Sequence, residues 1–98
     1  MATRLRETLL ERGDEIRALA RRHLVSRPRL YGSVARGDDR PDSDVDILVE
    51  PEAGCSLLDL AGMENELEDL LGRRVEVRTI KDMHPRMRPS VLADAVPL

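Results

Sequence analysis

Two carboxylates, Asp44 and Asp46, stand two residues apart at the head of an aliphatic run, Val45-Asp46-Ile47-Leu48-Val49. On an extended strand both side chains project to one face, with their Cα atoms about 6.5–7 Å apart. Like charges so placed repel one another unless something positive lies between them. Mg²⁺ suits that place, because it binds through one or two carboxylates and completes its shell with substrate phosphates. Upstream, separated from Asp44 by residues 34–43, comes Gly32-Ser33. There glycine allows close approach of the backbone to a ligand, and the hydroxyl and a helix N-terminus offer donors to phosphate. Arg36 lies one turn further on, with a guanidinium able to take a pair of phosphate oxygens. A phosphate cradle followed by a metal-binding strand equips a chain for nucleotide chemistry, in which two ions about 3.5–4 Å apart stabilise the attacking and leaving oxygens. The spacing Asp42-x-Asp44-x-Asp46 also fits the start of a calcium loop. Ile47 and Ala53 stand where such a loop needs Gly and Glu, so that reading fails.

Elements to position these residues are legible on both sides. Leu5, Leu9, Ile16, Leu19, Ala20 and Leu24 recur at helical spacing and predict one amphipathic helix over about residues 3–25, weakened near Gly13 by about 1 kcal/mol. Pro28 forbids its continuation, and Arg29-Leu30-Tyr31 reads as a short strand ending at Gly32-Ser33, where Ser33 could cap a helical turn. Residues 37–43 form a turn-rich loop, and Val45, Ile47 and Val49 give the next strand one apolar face. Ser56 with Asp59 resembles a capping box before a second helix, which Gly72 would end. Val75-Glu76-Val77-Arg78-Thr79 alternates as a third strand, and Ser90 to Ala95 fits a last short helix. The expectation is an α/β (α+β) domain over residues 1–98, with a three-stranded mixed sheet flanked by about four helices.

Gly-Ser, ten residues, then Asp-x-Asp entering an aliphatic strand closely resembles the signature of the DNA-polymerase-β-like nucleotidyltransferase superfamily. The stretch YGSVARGDDRPDSDVDILVE looks specifically like the minimal nucleotidyltransferase family. The resemblance covers essentially the whole chain and implies the polymerase-β-like fold. It implies that Gly32 and Ser33 hold the β- and γ-phosphates of a nucleoside triphosphate, and that Asp44 and Asp46 coordinate two Mg²⁺ ions. The family's third carboxylate, usually Asp, falls on Glu76, which would bind the metal nearer the acceptor and help deprotonate the attacking hydroxyl. Glu is one methylene longer, which leaves the geometry of that ion open, and a salt bridge to a neighbouring Arg is the alternative use of Glu76. The resemblance further implies ATP as substrate, AMP transfer to a hydroxyl, and a HEPN-domain toxin as protein partner, inactivated by adenylylation of a tyrosine. In that reading the chain is an antitoxin within a hetero-oligomer. The alternatives are an antitoxin that neutralises its partner by contact alone, and a subunit of a larger transferase acting on a small molecule.

Composition bounds the remainder. The 98 residues carry a net charge of −3, which argues against stable DNA binding. That charge is uneven: residues 41–72 hold ten acids and no Lys or Arg, between two Arg-rich segments. The single Cys55 excludes an intrachain disulfide and a Cys/His zinc set. No run is long enough to span a bilayer and the N-terminus has no signal-peptide core, so the expectation is a cytoplasmic protein without a membrane. His23 reads as a packing residue, His84 as a turn residue, Arg78 and Lys81 as exposed cations with contact to phosphate or a partner as the alternative, and Tyr31 as packing beside the site.

Overall fold

The structure, a computed structural model, describes residues 4–98, so Thr3, the first residue of the expected leading helix, lies outside the described residues. The elements run α1 (Leu5–Glu11), α2 (Gly13–Arg22), β1 (Val25–Tyr31), α3 (Gly32–Arg36), β2 (Val45–Pro51), α4 (Leu57–Leu71), β3 (Val75–Arg78), a 3-10 turn (Ile80–Asp82), α5 (Arg88–Asp94) and β4 (Val96–Pro97). The strands form one mixed sheet in the order β3-β2-β1-β4. β1 pairs antiparallel with β2 and β4, whereas α4 carries the chain across so that β3 runs parallel to β2.

Three expectations are corrected. The leading helix is two helices, interrupted at Arg12. Gly13 sits at the break because a Cβ there would come within 3.1 Å of the Leu98 backbone, whose carbonyl accepts from Arg17 Nη1 at 2.6 Å. The first strand begins at Val25 rather than Arg29 and runs through Pro28, since a bulge between Ser26 and Arg29 removes the ladder hydrogen bond that proline cannot donate. The sheet has four strands rather than three. Val96 and Pro97 pair with Leu30 and Arg29, and so short a strand has no alternation to read in sequence.

One face of the sheet buries Leu30, Val45, Ile47, Val49 and Val77 against Leu9, Ile16, Leu19, Met63 and Leu67 of α1, α2 and α4. Apolar burial of this kind is the main force holding the layers together. The capping box forms as read, with the Ser56 N–H donating to Asp59 Oδ2 at 2.8 Å, and Gly72 ends α4 in the left-handed region. The opposite face is partly covered as well. Leu48, on the aspartate side of β2, is fully buried with Tyr31, Met83 and Val91. That face therefore holds a small apolar plug under the 3-10 turn and α5, and its polar residues lie to either side of the plug. Among the described residues no helix is long and apolar enough to cross a membrane.

Candidate active site

Tyr31 ends β1 and stands at the N-cap of α3, so Gly32 opens that helix and Ser33 is its second residue. No side-chain capping hydrogen bond forms there, which corrects the expectation that Ser33 caps the turn. Gly32 has φ +75, a left-handed conformation that any Cβ would strain. That Cβ would also lie 2.5 Å from Asp46 Oδ2, so only glycine lets the start of α3 sit against the carboxylate. The first prediction arises here. Gly32→Ala should destabilise the protein by about 1–3 kcal/mol through backbone strain and overlap. Urea unfolding measures this directly; an unchanged midpoint would mean that α3 moves freely away from β2.

Register brings the carboxylates together. Asp46 lies opposite Tyr31 across the antiparallel β1–β2 pair and opposite Glu76 across the parallel β2–β3 pair. Asp44 lies just before β2, which starts at Val45, and so sits at the loop's end rather than inside the strand. Two bonds pin that loop: the Val45 N–H donates to Arg74 O at 2.9 Å, and Arg73 Nη2 donates to Ser43 O at 2.8 Å. On β3 the N–H groups of Val75 and Val77, flanking Glu76, donate to Glu68 Oε2 at 3.1 Å and Glu64 Oε2 at 2.9 Å. Residues one turn apart on α4 thus match the two-residue period of the outer strand and hold it, and with it Glu76, against β2.

The electrostatics follow from this crowding. Burial, with the charge of Glu76 next and that of Asp44 behind it, pushes the Asp46 carboxyl up to about 6, against the opposing pull of Arg78 and Arg36. Burial and then the Asp46 charge push the Tyr31 hydroxyl up to about 12. Glu76 Oε2 is paired with Arg78 Nη2 at 3.1 Å, both side chains about two-fifths exposed. The salt bridge weighed as the alternative for Glu76 is therefore present, while the residue still faces the aspartates. Arg36 is occupied too: its Nε donates to Asp38 at 3.2 Å and its Nη1 to Asp94 at 2.6 Å, which raise its pKa and tie α3 to α5.

Asp44, Asp46 and Glu76 are the residues that could hold a divalent cation. Among the described residues no three His, Cys, Asp or Glu side chains converge on one point. The set instead fits a hard ion that arrives with phosphate ligands, because a carboxylate held well above its usual range gains from a nearby positive charge. The site is an open face beside a cleft of about 320 Å³ that includes Asp42, Asp44 and Arg74, whereas a larger cavity of about 520 Å³ between α2 and α4 holds none of these residues.

Sequence reasoning missed Asp94, which lies 58 residues from its partner Arg36 and has no local signal. Arg78, read as an exposed cation, keeps about two-fifths of its side chain exposed, and the alternation of β3 sets it on the face of Glu76, with which it pairs. His23 packs as expected, its ring against Gly62 and its Nε2 within 2.7 Å of Glu66 Oε1. His84 Nδ1 accepts from the Arg86 N–H within a turn.

Known proteins resemble this chain in sequence and in fold. Residues 15–98 match the nucleotidyltransferase domain family. Over 75 residues the chain is 44% identical to a candidate protein adenylyltransferase of Methanocaldococcus jannaschii, a match spanning 76% of this chain and 81% of the relative. The protein adenylyltransferase MntA of Thermococcus cleftensis is 40% identical over 67 residues, 68% of each chain. A solved structure of a candidate minimal nucleotidyltransferase superposes with a TM-score of 0.84 at 46% identity, covering 95% of both chains. A toxin–antitoxin crystal structure with AMP-PNP superposes with a TM-score of 0.73 at 18% identity, over 87% of this chain and 70% of that one, a likeness of fold.

Proposed function

The chain belongs to the nucleotidyltransferase domain family, and from that membership we propose that it is an Mg²⁺-dependent protein adenylyltransferase. It moves AMP from ATP onto a hydroxyl of a separate polypeptide, a tyrosine of a HEPN-domain toxin, and thereby acts as a cytoplasmic antitoxin. The observation that carries this reading is the register of Asp46 against Glu76, with Asp44 beside it and the Gly32 turn in contact with Asp46. The relatives named protein adenylyltransferases support the choice of reaction, and the motif resemblance supports ATP and the toxin partner.

The acceptor oxygen bonds to the α-phosphorus, the bond from that phosphorus to the bridging oxygen breaks, and pyrophosphate leaves. Gly32 N–H and the Ser33 hydroxyl donate to the β- and γ-phosphates as negative charge moves onto them. Glu76 accepts the acceptor's proton at a carboxylate oxygen, and Arg78 orients that carboxylate. A divalent cation on Asp44, Asp46 and Glu76 would neutralise the triphosphate and the attacking oxygen. Arg36 is held by Asp38 through Nε and by Asp94 through Nη1, which leaves Nη2 to donate to a phosphate oxygen.

The test is incubation with ATP, Mg²⁺ and the partner, read by the partner's mass, which should gain whole adenylyl groups only when both are present. A second prediction isolates the cradle. Ser33→Ala should weaken ATP binding by roughly 1.5–3 kcal/mol, one charge-assisted hydrogen bond, and leave AMP binding nearly unchanged. Equal weakening of both nucleotides in calorimetry would make Ser33 a folding residue instead. The Glu76–Arg78 pair favours one competing reading, an antitoxin that works by contact with a carboxylate already satisfied. A partner neutralised at unchanged mass would establish that reading.

A further inference from the structure

On the same face of the sheet, beyond the Leu48 plug, lies a cavity of about 420 Å³ at the far end of β2. Arg27, Arg29 and Lys81 line it with Glu50, Thr79 and Leu92. Three cations there meet one carboxylate. Glu50 Oε2 is buried without a hydrogen bond: Arg27 Nη1 lies at 3.1 Å but is not aligned to donate, and Arg29 Nη2, at 3.7 Å, is beyond hydrogen-bond reach. Arg27 sits at φ +51 on the bulge of β1, and bulges commonly re-aim a side chain in this way. The cavity is therefore a positive recess with unspent donors and, in Leu92, an exposed apolar rim.

Its position relative to the carboxylates matters. Glu50 lies four residues beyond Asp46 on β2 and on the same side, a separation of about 13 Å at about 3.3 Å per residue. An extended polypeptide spans that distance in about four residues. We propose that this cavity anchors an acidic side chain of the acceptor polypeptide, three to five residues from the hydroxyl that receives the nucleotide. The inference rests on the adenylyltransferase reading for the identity of the acceptor, but the anchoring is a binding event of its own. A polypeptide suits the recess better than a nucleic acid. Glu50 repels a run of phosphates more than a single carboxylate, and the chain's single aromatic residue, Tyr31, is buried and gives no base a stacking surface.

The experiment uses two 12-residue peptides with one tyrosine, carrying either Glu or Gln four residues away. With the whole protein, ATP and Mg²⁺, the Glu peptide should show a KM about five- to tenfold lower at similar kcat. The Arg27→Gln/Lys81→Gln variant should lose that difference with the KM for ATP unchanged. Binding of the same peptides, labelled with fluorescein and read by anisotropy, should show the same preference and lose it as salt screens the pair. Should the double variant unfold, Lys81→Gln alone, at an exposed position, gives the same comparison at smaller amplitude. Equal binding of both peptides to the parent protein, or displacement of the Glu peptide by a single-stranded oligonucleotide, overturns the proposal. Glu-selective binding without AMP transfer would retain the anchor and remove the adenylyltransferase reading; transfer indifferent to Glu would do the reverse.

Discussion

Replacing Asp46 with Asn should make the ligand-free protein more stable at neutral pH and abolish AMP transfer. The fold raises this carboxyl from 3.8 to about 6, so the native state prefers the protonated form. Its favourable contribution is therefore full below about pH 4 and is lost as pH rises through about 6. At pH 7 the ionised group burdens the fold by about 1–2 kcal/mol, taking the shift and discounting it for partial exposure. Asn removes that burden, and the melting temperature should rise by roughly 5–10 °C. The gain should shrink towards pH 4, where the parent's own carboxyl is neutral. Transfer should fall by at least 10²–10⁴-fold, because Asn takes one carboxylate from the set proposed to hold the cation. Thermal scans at pH 4 and pH 7, beside partner-mass measurements, check both halves. A destabilised Asn variant with transfer intact would mean that Asp46 is a structural residue.

Glu76→Gln should leave ATP binding nearly intact while cutting transfer by about 10²–10⁴-fold, the usual cost of losing a general base. Gln keeps the length and a polar contact to Arg78, so packing at β3 is preserved and a loss of rate reports on the proton acceptor. Glu76→Asp restores the carboxylate usual in the resembling family but withdraws it by one methylene from Arg78 Nη2, now at 3.1 Å. It should retain or increase transfer, since the hold of Glu64 and Glu68 on the β3 backbone does not depend on the side chain at 76. Equal transfer by the parent and the Gln variant would remove Glu76 from the reaction.

The sequence by itself determined whatever depends on short spacing. Gly32-Ser33 at the start of a helical turn, Asp44 and Asp46 two residues apart at the entry to a strand, the Ser56 cap and the Gly72 stop are properties of neighbouring residues, and local backbone periodicity makes them legible. Motif spacing likewise pointed to nucleotidyltransfer before any contact was known. What only the tertiary structure decided depends on pairing across the chain. The α4 crossover sets β3 beside β2 in the register that puts Glu76 opposite Asp46. Packing of the C-terminal residues against Gly13 and β1 adds the fourth strand and splits the leading helix. Leu48 shares a face with the aspartates, and α5 and Met83 bury it into a plug between the candidate site and the basic cavity. Asp94 meets Arg36 for the same reason. An i, i+2 pattern specifies which way a side chain points, but the element that arrives to meet it is chosen by the burial of the whole chain.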